Sequence, residues 1–140
     1  MSTLYFETSA FVKLLVAEVG SPTALQAWHG GFHMQASPLL FVEARASLAA
    51  ARRGRRMTAD QFARAKEALR ALRGDVNEVQ VDGAVLAHAE DLAEREALRG
   101  YDAVHLASSL FAGADVLVTA DAALIDAGRR CGLDVIDARA

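Results

Sequence analysis

The chain has 140 residues, 53% of them hydrophobic, and a mean hydropathy of +0.17, enough for one domain with a substantial core. Its single cysteine, Cys131, excludes an internal disulfide framework and cysteine-cluster zinc sites. The net charge of −3 argues against broad electrostatic capture of nucleic acid, yet it permits a local basic patch.

Leu4-Tyr5-Phe6 reads as a buried strand running into Glu7, the hydroxyls of Thr8 and Ser9, and a helix over residues 9–17. That helix carries Phe11, Leu14 and Leu15 on one face. Gly20-Ser21-Pro22 stops it and starts another, with Ser21 as cap, Pro22 as first helical residue, and Leu25 and Trp28 inward. Gly30-Gly31 ends this helix, and residues 32–36 form a short strand. Ser37-Pro38 again reads as a cap and a first helical residue. The helix that follows buries Leu40, Phe41, Ala44 and Leu48 and ends in a basic turn, Arg52-Arg53-Gly54-Arg55-Arg56.

Thr58, with Gln61 three residues on, is a capping box. It opens a helix through Phe62, Ala65, Leu69 and Leu72 that Gly74 closes. Residues 76–81 alternate weakly, as a strand would, and Asp82 caps a helix with Val85, Leu86, Ala89 and Leu92 inward. After Gly100-Tyr101, Asp102 is the expected cap of a helix over 103–112, which Gly113 ends. The β-branched run Asp115-Val-Leu-Val-Thr119 is the clearest strand in the chain. Asp121 starts a helix through Leu124, Ile125 and Ala127, and residues 133–136 close as a strand, with Cys131 placed in the core. Strands separated by helices of about ten residues or more predict a parallel sheet covered on both faces, in one α/β domain spanning residues 1–140. No apolar run approaches the ~20 residues of a membrane span, and the N-terminus lacks a basic region followed by an apolar one. The expectation is a soluble, cytoplasmic protein.

Two of these strands end in an acid flanked by hydroxyls: Phe6-Glu7-Thr8-Ser9 and Val118-Thr119-Ala120-Asp121. In a parallel sheet both ends lie on one edge, where open α/β sheets bind ligands. Asp102 enters a helix facing the same edge, and Glu43 interrupts an otherwise apolar stretch, Leu39 to Ala44. Each acid also has an ordinary reading. Asp102 and Asp121 suit helix caps, Glu43 suits a solvated helix face, and Glu7 suits a cap, although Ser9 is the better one.

Four segments carry a resemblance: Glu7-Thr-Ser-Ala-Phe-Val-Lys13, the Val42-Glu43 step, Gly100-Tyr-Asp-Ala-Val-His-Leu-Ala107, and Gly113-Ala-Asp-Val-Leu-Val-Thr-Ala-Asp121. In order and spacing, over nearly the whole chain, they resemble the four acidic motifs of PIN-domain ribonucleases, and most of all the VapC-type toxins of type II toxin–antitoxin modules. The resemblance implies a doubly wound parallel sheet and Mg²⁺- or Mn²⁺-dependent cleavage of RNA. It also implies a homodimer and a small antitoxin that occupies the acidic groove. By position, Glu7, Glu43, Asp102 and Asp121 would be the catalytic, metal-binding acids, with Ser9 and Thr119 orienting them. Hard cations prefer such carboxylate oxygens.

One position departs from the family pattern. Glu7 stands where Asp is usual, and its extra methylene moves the carboxylate by about one bond length, which a water-rich Mg²⁺ shell can absorb. Charge and position are kept, which favours a working site. The alternative is a catalytically weak or inactive PIN-fold module that binds nucleic acid or protein. A phosphoacceptor receiver domain would need a lysine late in the chain, and none follows Lys66. A DNA or flap nuclease would carry insertions that this compact chain lacks.

Around the acids, Lys13 lies four residues after Ser9 and is expected to help hold the scissile strand. Arg52, Arg53, Arg55 and Arg56 are expected to track RNA phosphates or contact a partner, or to be a solvated turn at a helix C-terminus. His105 shares a helix face with Asp102; a histidine among apolar residues is more often structural than a ligand.

Overall fold

β1 (Thr3–Phe6) is apolar on both faces, so it can only be a central strand. Leu4 and Phe6 point one way and Tyr5 the other, and all three are buried. The computed structural model, which describes residues 2–140, places β1 between β2 (His33–Ala36) and β4 (Val116–Thr119). Beyond them lie β3 (Asn77–Glu78) and β5 (Asp134–Asp137), giving the all-parallel order β3-β2-β1-β4-β5. The order reverses beside β1: the chain winds outward through β2 and β3, then returns to β1's other side with β4. The predicted doubly wound sheet is present.

Four helices follow the first two strands: α1 (Thr8–Leu15), α2 (Ser21–Trp28), α3 (Leu39–Arg53) and α4 (Ala59–Arg73). Together they bury Leu4, Phe6, Phe11, Leu40, Phe41 and Val118 in one core. α5 (Gly83–Arg95), α6 (Gly100–Phe111) and α7 (Ala122–Arg130) close over Tyr5, Leu92, Leu106, Leu117 and Leu124 on the opposite face. Each large apolar side chain so buried contributes roughly 1.5–3 kcal/mol. A smaller cluster of Leu48, Met57 and Ala65 ties the α3–α4 hairpin to the end of α1.

Several expectations hold. The Thr58–Gln61 capping box forms with both reciprocal bonds, Asp82 caps α5 and Asp121 caps α7. Others do not. The start of α3 is shifted by one: Pro38, not Ser37, occupies the N-cap position, and Ser37 Oγ accepts from the Leu39 amide beside it. Asp102 is not a cap: α6 begins earlier, with Arg99 at the N-cap position, and Asp102 lies inside its first turn. Glu7, rather than Ser9, caps α1 by accepting the Ser9 amide. Leu25 and Leu86 are exposed, because Ala24, Ala27 and Ala89 take the inward positions and let the helices approach the sheet closely. The expected strand over 76–81 shrinks to Asn77–Glu78. The Val79 amide still donates to the Ala36 carbonyl at 2.8 Å, but the side chains of Val79 and Val81 pack on the α5–α6 core as the chain turns into the Asp82 cap.

Gly20, not Ser21, occupies the N-cap of α2, at φ +89°. The Ser21 hydroxyl instead accepts from the Glu18 amide and donates to the Val16 carbonyl, tying the turn together. A Cβ at Gly20 would stand 1.9 Å from the Ala138 carbonyl oxygen. Gly20→Ala should therefore destabilise the protein by about 2 kcal/mol or more, through backbone strain and a clash that no rotamer relieves, as read by urea denaturation.

Candidate active site

β1 and β4 are neighbours whose outgoing connections run to opposite sides of the sheet, which opens a crevice beyond their carboxyl ends. Their pairing continues past the strands, the Glu7 amide donating to the Val118 carbonyl at 3.0 Å. Glu7, Glu43, Asp102 and Asp121 all line the resulting cleft, together with Ser9, Lys13, Ser47 and Arg99. Four elements supply the acids: the ends of β1 and β4, the second turn of α3 and the first turn of α6.

Each carboxylate is held differently. Glu7 is buried, and its Oε1 accepts from the hydroxyls of Ser9 and Thr119, the latter at 2.6 Å. Its Oε2 accepts from the Ser9 amide at 3.0 Å. The Ser9 and Thr119 oxygens are in turn fixed by the amides of Ala120 and Asp121. The two hydroxyls named in the sequence thus orient one acid, Glu7, whose longer side chain folds back to cap its own helix.

Glu43 Oε1 accepts from Thr8 Oγ1 at 2.7 Å and from His105 Nε2 at 2.5 Å. Burial alone would raise the Glu43 carboxyl, but the hydrogen bonds it accepts from His105 and the Thr8 hydroxyl outweigh it and hold the group below the usual glutamate range. Asp102 is the opposite case. Burial and the neighbouring charge of Asp121 raise it, against the partial relief given by Arg99. Asp121 spends one oxygen on capping α7 and keeps the other toward Arg99.

Arg99 was not among the residues singled out in the sequence. Its guanidinium lies 3.3 Å from Asp102 and 3.9 Å from Asp121, spanning the pair from a largely exposed position. Its i,i+3 spacing to Asp102 was the available signal. Thr8, whose hydroxyl donates to Glu43, was not singled out either. Lys13 reaches the cleft wall, but its ammonium is bound by Glu18 and the Val19 carbonyl, which secures the α1–α2 turn. The arginines of the α3–α4 turn are remote: Arg52 lies nine residues beyond Glu43, about 14 Å along the helix.

The donor set suits a hard divalent cation, being carboxylate oxygen throughout with hydroxyls behind it. Among the described residues, however, no three His, Cys, Asp or Glu side chains are arranged to hold a metal ion as they stand. Glu7 is turned into its own hydrogen bonds and Asp102 and Asp121 face Arg99. Among the described residues Glu43 Oε2 makes no hydrogen bond, and the carboxylates of Asp102 and Asp121 meet Arg99 and, for Asp121, the Leu124 amide.

A family model described as PIN domain matches residues 4–130, and the chain belongs to that family. Within it, the chain is 42% identical over 120 residues to the ribonucleases VapC45 and VapC49 of Mycobacterium tuberculosis, covering 86% of this chain and 83% of each relative. It stands among the VapC-type members. The fold also matches VapC20 of Mycobacterium tuberculosis, a toxin that cleaves the sarcin-ricin loop (TM-score 0.70, 20% identity, 89% of this chain and 95% of that one). PAE2754 of Pyrobaculum aerophilum matches with a TM-score of 0.68 at 20% identity, covering 96% of this chain and 91% of the other.

The opposite displacements of Asp102 and Glu43 give opposite stability signatures. A raised Asp102 costs stability once pH exceeds the unfolded value near 4, so Asp102→Asn should leave the metal-free protein as stable or more stable at pH 7. That difference should vanish as the pH falls below about 4. A lowered Glu43 contributes stability above the unfolded value and loses it as pH falls through the folded one. Glu43→Gln should therefore cost about 1 kcal/mol at pH 7, and less in acid. Thermal melts across pH 3–8 in chelator read both.

Proposed function

We propose that the protein is a Mg²⁺- or Mn²⁺-dependent endoribonuclease and the toxin half of a type II toxin–antitoxin pair. The observation that supports this most is the meeting of Glu7, Glu43, Asp102 and Asp121 on one cleft at the sheet's switch point, in a PIN-family chain similar to VapC ribonucleases. Glu43, Asp102 and Asp121 would hold the cation, and Glu7, braced by Ser9 and Thr119, would complete the acidic wall. Such an ion supplies Lewis acidity, lowering the pKa of water and offsetting charge that develops on a phosphodiester. Arg99, at the mouth, is placed to exchange its carboxylate partners for a phosphate, to which guanidinium is well matched.

The partners follow the same reading: cellular RNA as substrate, a small antitoxin seated over the acidic groove, action in the cytoplasm, and pairing as a homodimer. Exposed Leu86, Tyr101 and Phe111 on α5 and α6 offer apolar surface for such pairing. Among the described residues, no helix is long and apolar enough to cross a membrane.

Purified protein should cleave RNA with Mg²⁺ or Mn²⁺, stop on chelation, and lose at least about a hundredfold in rate as Asp102→Asn. Glu7→Asp should keep activity and Glu7→Gln should lose it. Equal cleavage by Glu7→Gln would remove Glu7 from the essential set, and cleavage that persists in chelator would sink the metal mechanism.

Arg52, Arg53, Arg55 and Arg56 form no ion pair among the described residues and belong to the same proposal as a separate surface that meets RNA phosphates beyond the cleft. In an Asp102→Asn background, replacing them with Ala should flatten the salt dependence of RNA binding by about 0.7 in log–log slope for each phosphate no longer neutralised. An unchanged slope would leave them a solvated turn.

A further inference from the structure

His105 is fully buried on α6, and both ring nitrogens are engaged. Nδ1 lies 2.9 Å from the Tyr5 hydroxyl, and Nε2 reaches Glu43 Oε1 at 2.5 Å, with Thr8 Oγ1 at 3.4 Å. No lone pair faces the cleft, so His105 is not itself a ligand.

Its role follows from the direction of the hydrogen bonds. The Ser37 amide donates to Tyr5 Oη at 3.1 Å. Burial pushes the Tyr5 phenol well above its usual range, so it keeps its proton and has one to donate. Nδ1 is the acceptor beside it. An ionised carboxylate only accepts, so the ring proton sits on Nε2 and points at Glu43. The chain therefore runs from the Ser37 amide through Tyr5 and His105 to Glu43.

Its two ends, Ser37 and Glu43, flank the first turn of α3. Its middle is anchored in β1 and α6. α3 and α6 cover opposite faces of the sheet, so the His105–Glu43 bond joins the two layers across the strand ends. Thr8 and His105 both hold Oε1, and among the described residues Oε2 makes no hydrogen bond.

We propose that His105, aimed by Tyr5, is a positioning residue that fixes the Glu43 carboxylate by Oε1 and so presents Oε2 to a divalent cation in the cleft. The proposal rests on the metal-dependent reading above. Outer hydrogen bonds of this kind typically govern tenfold or more of metal affinity.

The test uses the full chain and Mn²⁺ alone, with calorimetric affinity, metal-free melting temperature, and nitrogen-15 spectra of the histidine rings. The parent should carry its His105 proton on Nε2 without metal present; a ring protonated only on Nδ1 overturns the proposal whatever the fate of the metal reading. His105→Gln keeps a donor toward Glu43 and should bind Mn²⁺ within about threefold of the parent. His105→Phe, an aromatic ring without a donor, should bind at least about tenfold more weakly, its melting temperature showing whether the larger ring is accommodated.

In a Glu43→Gln background the same His105→Phe change should have no further effect on affinity. Tyr5→Phe, the gentler variant, should weaken Mn²⁺ binding and let the ring proton redistribute between the nitrogens. Parent-like affinity in a folded His105→Phe, or a further loss added to that of Glu43→Gln, would show that His105 only fills the core. A parent that binds no Mn²⁺ while its ring proton sits on Nε2 overturns the metal reading, and this role with it.

Discussion

The parallel pairing of β1 with β4 is the constraint from which the site follows. It joins residues more than a hundred positions apart, and it does so where the sheet reverses its winding. Helices therefore leave the two strands in opposite directions, and the gap between them is where polar side chains meet. The Glu7 amide extends the pairing by one residue, and two hydroxyls lock its carboxylate across the same seam. Displacing that seam by one residue would turn Glu7 toward a core.

The acids around it form two electrostatic populations. Glu43 is supplied with donors, and Glu7 has both oxygens hydrogen-bonded to its neighbours. Asp102 and Asp121 oppose each other, with one exposed arginine between them and solvent. An incoming cation would relieve strain at the second pair and make use of preset geometry at Glu43. A site of this kind is partly rigid and partly frustrated before anything binds, as functional sites commonly are.

Much of this was legible in the residues, because the signals were strong or mutually consistent. β-branched runs and the Thr58–Gln61 box predicted the layered architecture, acids at strand ends brought Glu7 and Asp121 to one edge, and the family resemblance completed the set with Glu43 and Asp102. Failures arose where an alanine competed with a larger neighbour for the inward position, as Ala24 and Ala27 did with Leu25. Asp102 was misread because its type is a strong capping signal, whereas α6 starts three residues earlier with no side-chain cap. The partners of His105 were out of reach for a different reason. Tyr5 lies a hundred residues away and Glu43 sixty-two, and no local period reports pairings formed across a sheet. Arg99 had a local signal, and only the closeness of Asp121 gives it meaning.

The Thr119–Glu7 hydrogen bond spans 112 residues, and its length has a consequence for synthesis. Three of the strands and five of the helices are complete before Asp102 has been made. No cleft exists then, because the second wall, with Thr119 and Asp121, is still untranslated. Late, non-local pairings are also the slowest to form. Whatever the cleft does, it can do only after β4 and Asp121 have been made and have folded back against the first strand. A prematurely terminated product would lack it altogether.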